Sequence, residues 1–159
     1  MLNNLEKLIK QNIPFHSPQI KAEVGLLYVS YLITSMKQEV FKKYDLTLQQ
    51  FNILRILRGQ YPQPANISLL RDRMLDKKSD ASRLVDRLYK SGLVSKQVND
   101  IDKRNADVLI TEKALQLLAQ IDEDDHFMPT FFDALSEHEL SAFNELIDKI
   151  LGGFLPHQK

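Results

Sequence analysis

The sequence predicts a mainly α-helical fold with one small β-hairpin. Apolar residues recur at spacings of three and four along most of the 159 residues. Helix-start signals stand at Ser17-Pro18, Thr47-Leu48-Gln49-Gln50 and Ser136-Glu137-His138-Glu139. Period-two runs are confined to the stretches 93–98 and 107–110, on either side of one polar segment.

Taken in order, Leu2, Leu5, Leu8 and Ile9 fit a short amphipathic helix that ends before Pro14. Ser17 then reads as an N-cap and Pro18 as the first residue of a long helix to about Tyr44. That helix carries two apolar lines. Ile20, Val24, Leu27 and Tyr31 form one, and Ala22, Leu26, Val29, Ile33, Met36 and Val40 the other. At about 100° per residue the lines fall on nearly opposite sides, so both sides need cover. The expectation is one cover from the chain's own core and one from a second copy.

Thr47 to Gln50 is a capping box opening a helix that buries Phe51, Ile53, Leu54 and Leu57 and stops at Gly59. Residues 60–66, with Pro62 and Pro64, read as a loop. Ser68 is expected to cap a short helix through Met74, and Leu75 to Lys78 to form a turn. Ser79 is expected to cap a second helix ending at Ser91-Gly92. Leu93 to Val98 and Asp107 to Ile110 read as strands, with Asn99 to Asn105 as the hairpin tip. Thr111 caps a further helix broken near Pro129, and Ser136 opens a last one carrying Leu140, Phe143, Ile147 and Ile150.

Composition narrows the chemistry. The 43% apolar and 26% charged content is that of a globular chain, and the length suits one domain. Without cysteine there is no disulfide, thiol redox centre, cysteine nucleophile or thiolate metal site. No secretory h-region and no run of about 20 apolar residues occurs, so a cytoplasmic protein with no membrane partner is expected. No Gly-rich phosphate loop, GxSxG elbow or HExxH motif occurs, and the four histidines are scattered. An enzyme is not expected, nor any cofactor. The Asp122-Glu123-Asp124-Asp125-His126 run points around a helix rather than at one ion, so no metal is expected either.

Net charge is zero but unevenly placed. From Ser68 to Arg104 there are ten Lys/Arg against six Asp/Glu, a net of +4; from Glu112 to Lys149 there are two against ten, a net of −8. One pole can therefore face phosphates. Within the basic segment, Ala81, Leu84, Val85 and Leu88 share one helical face and point inward. Ser79, Ser82, Arg83, Asp86, Arg87 and Lys90 lie opposite. A short helix, a tight turn and a second such helix make a helix-turn-helix, whose second helix enters the major groove by its N-terminal end. Lys77, Lys78, Ser79, Asp80, Ser82 and Arg83 stand at that end. Arg suits the guanine O6/N7 edge, hydroxyls reach phosphates or bases, and a carboxylate can accept from cytosine N4. Arg87 and Lys90 are placed for phosphates. The turn lacks the glycine often found there. Lys103 and Arg104 at the hairpin tip suit an adjacent minor groove.

The run Ser82-Arg83-Leu84-Val85-Asp86-Arg87-Leu88, then Ser91-Gly92-Leu93-Val94, Asp102-Lys103-Arg104 and Leu109-Ile110-Thr111, resembles the MarR family of bacterial transcription regulators. Leu46-Thr47-Leu48-Gln49-Gln50-Phe51 and Leu135-Ser136-Glu137 also look like landmarks of that family, and the likeness spans about residues 20 to 150. Ala114 stands where the family often has Gly. The resemblance implies a winged helix-turn-helix lobe over 46–111, with 1–45 and 112–159 as a helical dimerisation region. It implies a homodimer on double-stranded, pseudo-palindromic operators, often weakened by a small aromatic or amphipathic effector. Ile20, Val24, Leu140, Phe143, Ile147 and Ile150 are the candidate dimer contacts. Tyr28, Tyr31, Phe41 and Tyr44 are candidates for an effector pocket, though aromatics on such a helix also serve as core. The family's thiol-based peroxide sensing cannot apply to a chain without cysteine. The competing reading is a winged helix used only for protein–protein contact.

Overall fold

Thr47 starts the helix on which the rest of the lobe is assembled. Its Oγ1 accepts from Gln50 N at 3.2 Å, and Gln50 Oε1 accepts from Thr47 N at 2.8 Å, closing the predicted capping box. The helix that follows, α3 (Leu48–Gln60), buries Phe51, Ile53, Leu54, Ile56 and Leu57. It is apolar around much of its circumference, as a helix packed on several sides must be. The computed structural model describes residues 4–98, 106–123 and 131–155.

Before α3 come α1 (Asn4–Leu8) and α2 (Pro18–Lys42), and after it β1 (Ala65–Asn66), α4 (Ile67–Arg73) and α5 (Ala81–Lys90). Strands β2 (Val94–Val98) and β3 (Ala106–Ile110) follow, then α6 (Glu112–Asp122) and α7 (Glu137–Gly152). Helices α2, α4, α5 and α6 and strand β3 all pack on α3. The chain divides into two compact units, 1–127 and 128–159, where the sequence predicts one domain. Helix α6, expected in the dimerisation region, buries Ala114, Leu118 and Ile121 in the same core as α3. Its far end is tied there as well: Asp122 pairs with Arg55 at 3.1 Å and with Arg58 at 2.6 Å.

The sheet has three strands, ordered β1-β3-β2, rather than the two predicted. Ala65 pairs with Val108 and Asn66 with Asp107, while Val94 to Val98 run antiparallel to Ile110 to Ala106. Two residues beside Pro64 carry no alternation, so nothing local marked β1; the edge of β3 creates it. Two caps also differ from expectation. Asn66, not Ser68, caps α4, its Oδ1 accepting from Leu69 N at 2.8 Å, and Ser68 Oγ instead receives Arg71 Nη2. Asp80, not Ser79, caps α5, its Oδ1 accepting from Arg83 N at 3.1 Å, while the Ser79 hydroxyl is turned back into the preceding turn and donates to Asp76 Oδ2 at 2.7 Å.

Ser17 caps α2 as predicted, with Pro18 in its first turn. Helix α1 is held to α2 by the pair Glu6–Lys21 at 2.9 Å and by Leu5 lying over Gly25. Only Val40 and Phe41, at the end of α2, are buried in the chain's own core. The expectation that this core covers one whole apolar line is therefore corrected. Ile20, Leu26, Leu27, Val29, Tyr31 and Met36 are exposed, Leu27 and Tyr31 by 65% and 64%. No helix among the described residues is long and apolar enough to cross a membrane. Leu2, the hairpin tip and the break near Pro129 lie outside the described residues.

Two substitutions separate packing from backbone strain. Leu54 is fully buried, so Leu54→Ala is expected to cost about 2–5 kcal/mol in urea unfolding. Gly92 has φ +71°, and a Cβ there would meet only Lys113 Nζ at 4.0 Å, so Gly92→Ala is expected to cost about 1–2 kcal/mol. Equal costs would contradict this placement of the core.

Candidate nucleic-acid interface

The turn between α4 and α5 is built by side chains in place of a glycine. Asp76 accepts from Lys78 N at 3.0 Å and from Ser79 Oγ at 2.7 Å, an Asx-type turn. These bonds hold the Asp76 carboxyl below its usual range, the Ser79 hydroxyl first. Leu75 N donates to Asn52 Oδ1 at 3.0 Å, which ties the turn to α3, and Lys77 Nζ donates to Asp72 O. Asp80 Oδ1 then accepts from Arg83 N at 3.1 Å and starts α5.

From that start, Ala81, Val85 and Leu88 are buried and Leu84 packs at the margin of the core. Ser82, Arg83, Asp86, Arg87 and Lys90 are exposed on the other side, as are Lys77 and Lys78 before the helix; Ser79 is half-buried. The far end is closed by a Schellman motif: Leu93 N donates to Leu88 O at 2.9 Å and Gly92 N to Tyr89 O at 3.0 Å. Helix α6 braces it, since Thr111 Oγ1 and Lys113 Nζ donate to Gly92 O and Ser91 O.

Local pairing divides the predicted DNA-facing residues. Asp80 uses one oxygen as the cap and the other to hold Arg83 Nε at 3.2 Å, so both are engaged before any base arrives. The Arg83 side chain nevertheless stays 83% exposed. Asp86 pairs with Lys96 of β2, which keeps its carboxyl below the usual range through that hydrogen bond and charge. Lys96 was not singled out in the sequence. Its signal was parity: it shares a strand face with the buried Val94, where an apolar residue would be expected. The wing residues Lys103 and Arg104 lie outside the described residues.

The other candidates are placed less uniformly. Tyr28 and Tyr31 face each other at 6.3 Å, Phe41 is fully buried and stacks on Phe51 at 4.4 Å, and Tyr44 packs on the core. Phe41 and Tyr44 thus belong to the core, and Tyr28 and Tyr31 pair with each other on α2. A cavity of about 230 Å³ beside the α3 N-terminus is lined by Gln38, Lys42, Leu46, Thr47, Leu48 and Gln49 instead. On α7, Leu140, Phe143 and Ile147 are half-buried and Ile150 is exposed; no residue of that helix is buried. On α2, Ile20 is exposed and Val24 half-buried.

Comparison with known proteins agrees with this geometry. The MarR family model matches residues 46–106, from the capping box before α3 to the start of β3. The HTH-type transcriptional regulator MgrA of Staphylococcus aureus is 25% identical over 116 residues, 73% of this chain and 77% of the relative. A MarR-like transcription regulator from Bacillus cereus superposes with a TM-score of 0.76 at 19% identity, covering 86% of this chain and 98% of the other. The Staphylococcus aureus MepR–DNA complex superposes with a TM-score of 0.72 at 18% identity, covering 80% and 94%. By its helix-turn-helix, its small sheet and these matches, the chain carries a MarR-type domain over residues 46–106 and shares the fold of MarR-like regulators over most of its length.

Proposed function

We propose that the chain acts as a homodimer, placing one α5 helix from each subunit in the major groove of a pseudo-palindromic operator. The observation that carries this is the outward face of α5. Ser82, Arg83, Arg87 and Lys90 are exposed on it because Ala81, Val85 and Leu88 are buried behind it. Such a face supplies both requirements of specific binding: cations for phosphates and side chains able to read base edges. MepR, of the same fold, has been crystallised on DNA. The half-sites would lie about one helical turn, or 34–36 Å, apart.

The dimer part of the reading rests on α7. Its capping box is complete, with Ser136 N donating to Glu139 Oε2 at 2.9 Å and Ser136 Oγ receiving Glu139 N at 3.4 Å. Yet this 16-residue helix buries nothing, and Leu146, Ile150, Leu151, Phe154 and Leu155 stand exposed on and just after it. Exposed apolar surface of this kind marks an interaction site, and a second copy supplies the matching surface.

Two experiments test the reading. In a gel shift against DNA upstream of its own gene, Arg83→Ala should lose about 1–3 kcal/mol on the selected operator and relax preference at one position per half-site. Arg104→Ala, from the wing, should weaken all sequences evenly and make the salt dependence shallower by about one unit per lost contact. Wild-type affinity in both variants would show that the groove-facing surface lies elsewhere. Light scattering should give a dimer for the wild type. The double substitution Phe143→Asp, Ile147→Asp should dissociate it, since each charge would be buried unpaired. A folded wild-type monomer at micromolar concentration would contradict the dimer.

A further inference from the structure

We infer that Lys96 is a positioning residue for DNA recognition, acting through Asp86 and the α5 helix rather than by touching DNA. This rests on the DNA-binding reading above. Asp86 lies in the middle of the outward face, one residue before Arg87 and three after Arg83. A bare carboxylate there would meet phosphates, whose charge it repels. Lys96 comes from β2, an edge strand of the three-stranded sheet, and reaches across to that carboxylate. Its side chain is only 29% exposed, and its Nζ also lies 5.7 Å from the centroid of the Tyr89 ring. The ammonium is thus held between a carboxylate and an aromatic face, both supplied by α5, within the range of a cation–π contact.

Two consequences follow from that placement. The outward face keeps Arg87 and Lys90 as exposed cations beside an Arg83 held at its Nε by Asp80, while the Asp86 carboxylate is spent on Lys96. The pair also ties the recognition helix to the sheet that carries the wing, so it sets where the helix stands relative to the hairpin. As a partly exposed ion pair it adds little to folding stability, which separates this role from a merely structural one. Lys113 of α6 also reaches this helix but donates to Ser91 O at its C-terminal end instead.

The test is a double-mutant cycle on a duplex selected from genomic DNA by the wild-type protein. Lys96→Met keeps the apolar stem and removes only the ammonium. It should weaken binding about tenfold in the wild-type background but less than about twofold once Asp86→Asn has removed the carboxylate. Lys96→Arg should bind within about threefold of wild type, since a guanidinium serves both partners. Melting curves should show all four variants folded. Equal losses from Lys96→Met in both backgrounds would mean that the ammonium acts directly on DNA and would overturn the inference; so would no loss in either. If the wild type selects no duplex, the DNA-binding reading falls and this inference with it. Binding by the wild type without coupling overturns the inference alone.

Discussion

The azimuth of α5 is the constraint on which the rest of the molecule depends. At about 100° per residue, burying Ala81, Val85 and Leu88 leaves Ser82, Arg83, Asp86, Arg87 and Lys90 no direction but outward. Turning the helix by half a revolution would expose Val85 and Leu88, at about 1.5–3 kcal/mol each, and bury two arginines without partners. The core that enforces this is α3, whose Ile53, Leu54 and Leu57 are almost completely covered. Much of what positions α5 ends on it: α5 packs on it directly, as does α4, and its Asn52 amide oxygen ties down the turn between them.

Most of this was legible because it is written in local patterns. The capping boxes at Thr47 and Ser136 and the αL glycine at 92 each depend on side chains within a few residues, and the structure has them as read. The inward and outward faces of α5 follow from one helical period. What was not legible depends on distant partners. Strand β1 exists only because β3 offers an edge to Ala65 and Asn66. The cap of α5 is Asp80 rather than Ser79, whose side chain is turned toward Asp76 in the preceding turn. Phe41, a pocket candidate by composition, is core because Phe51 lies 4.4 Å away. Lys96 gains its meaning only from Asp86, ten residues away in sequence and on a different element.

The single chain is incomplete in one respect that physics makes visible. Helix α2 inserts only its last turn into the core, and α7 taken by itself has no buried residue. Two well-formed helices with exposed Leu, Ile, Val and Phe residues do not persist in water on propensity alone, since helical stability comes mainly from packing an apolar face. On the proposed reading a second copy covers that surface, and a two-fold operator calls for such a dimer. On that same reading the basic middle of the sequence serves the DNA and the acidic C-terminal third the subunit contact.

Site-specific photo-cross-linking measures the central claim most directly. A photoreactive side chain placed at Ser82, on the outward face of α5, should cross-link to a duplex carrying the selected operator. The same group at Gln116, exposed on α6, should not. Cross-linking at 82 that competes away with operator DNA, and none at 116, is the result this account predicts. Cross-linking from 116 with none from 82, on DNA that the protein demonstrably binds, would contradict it.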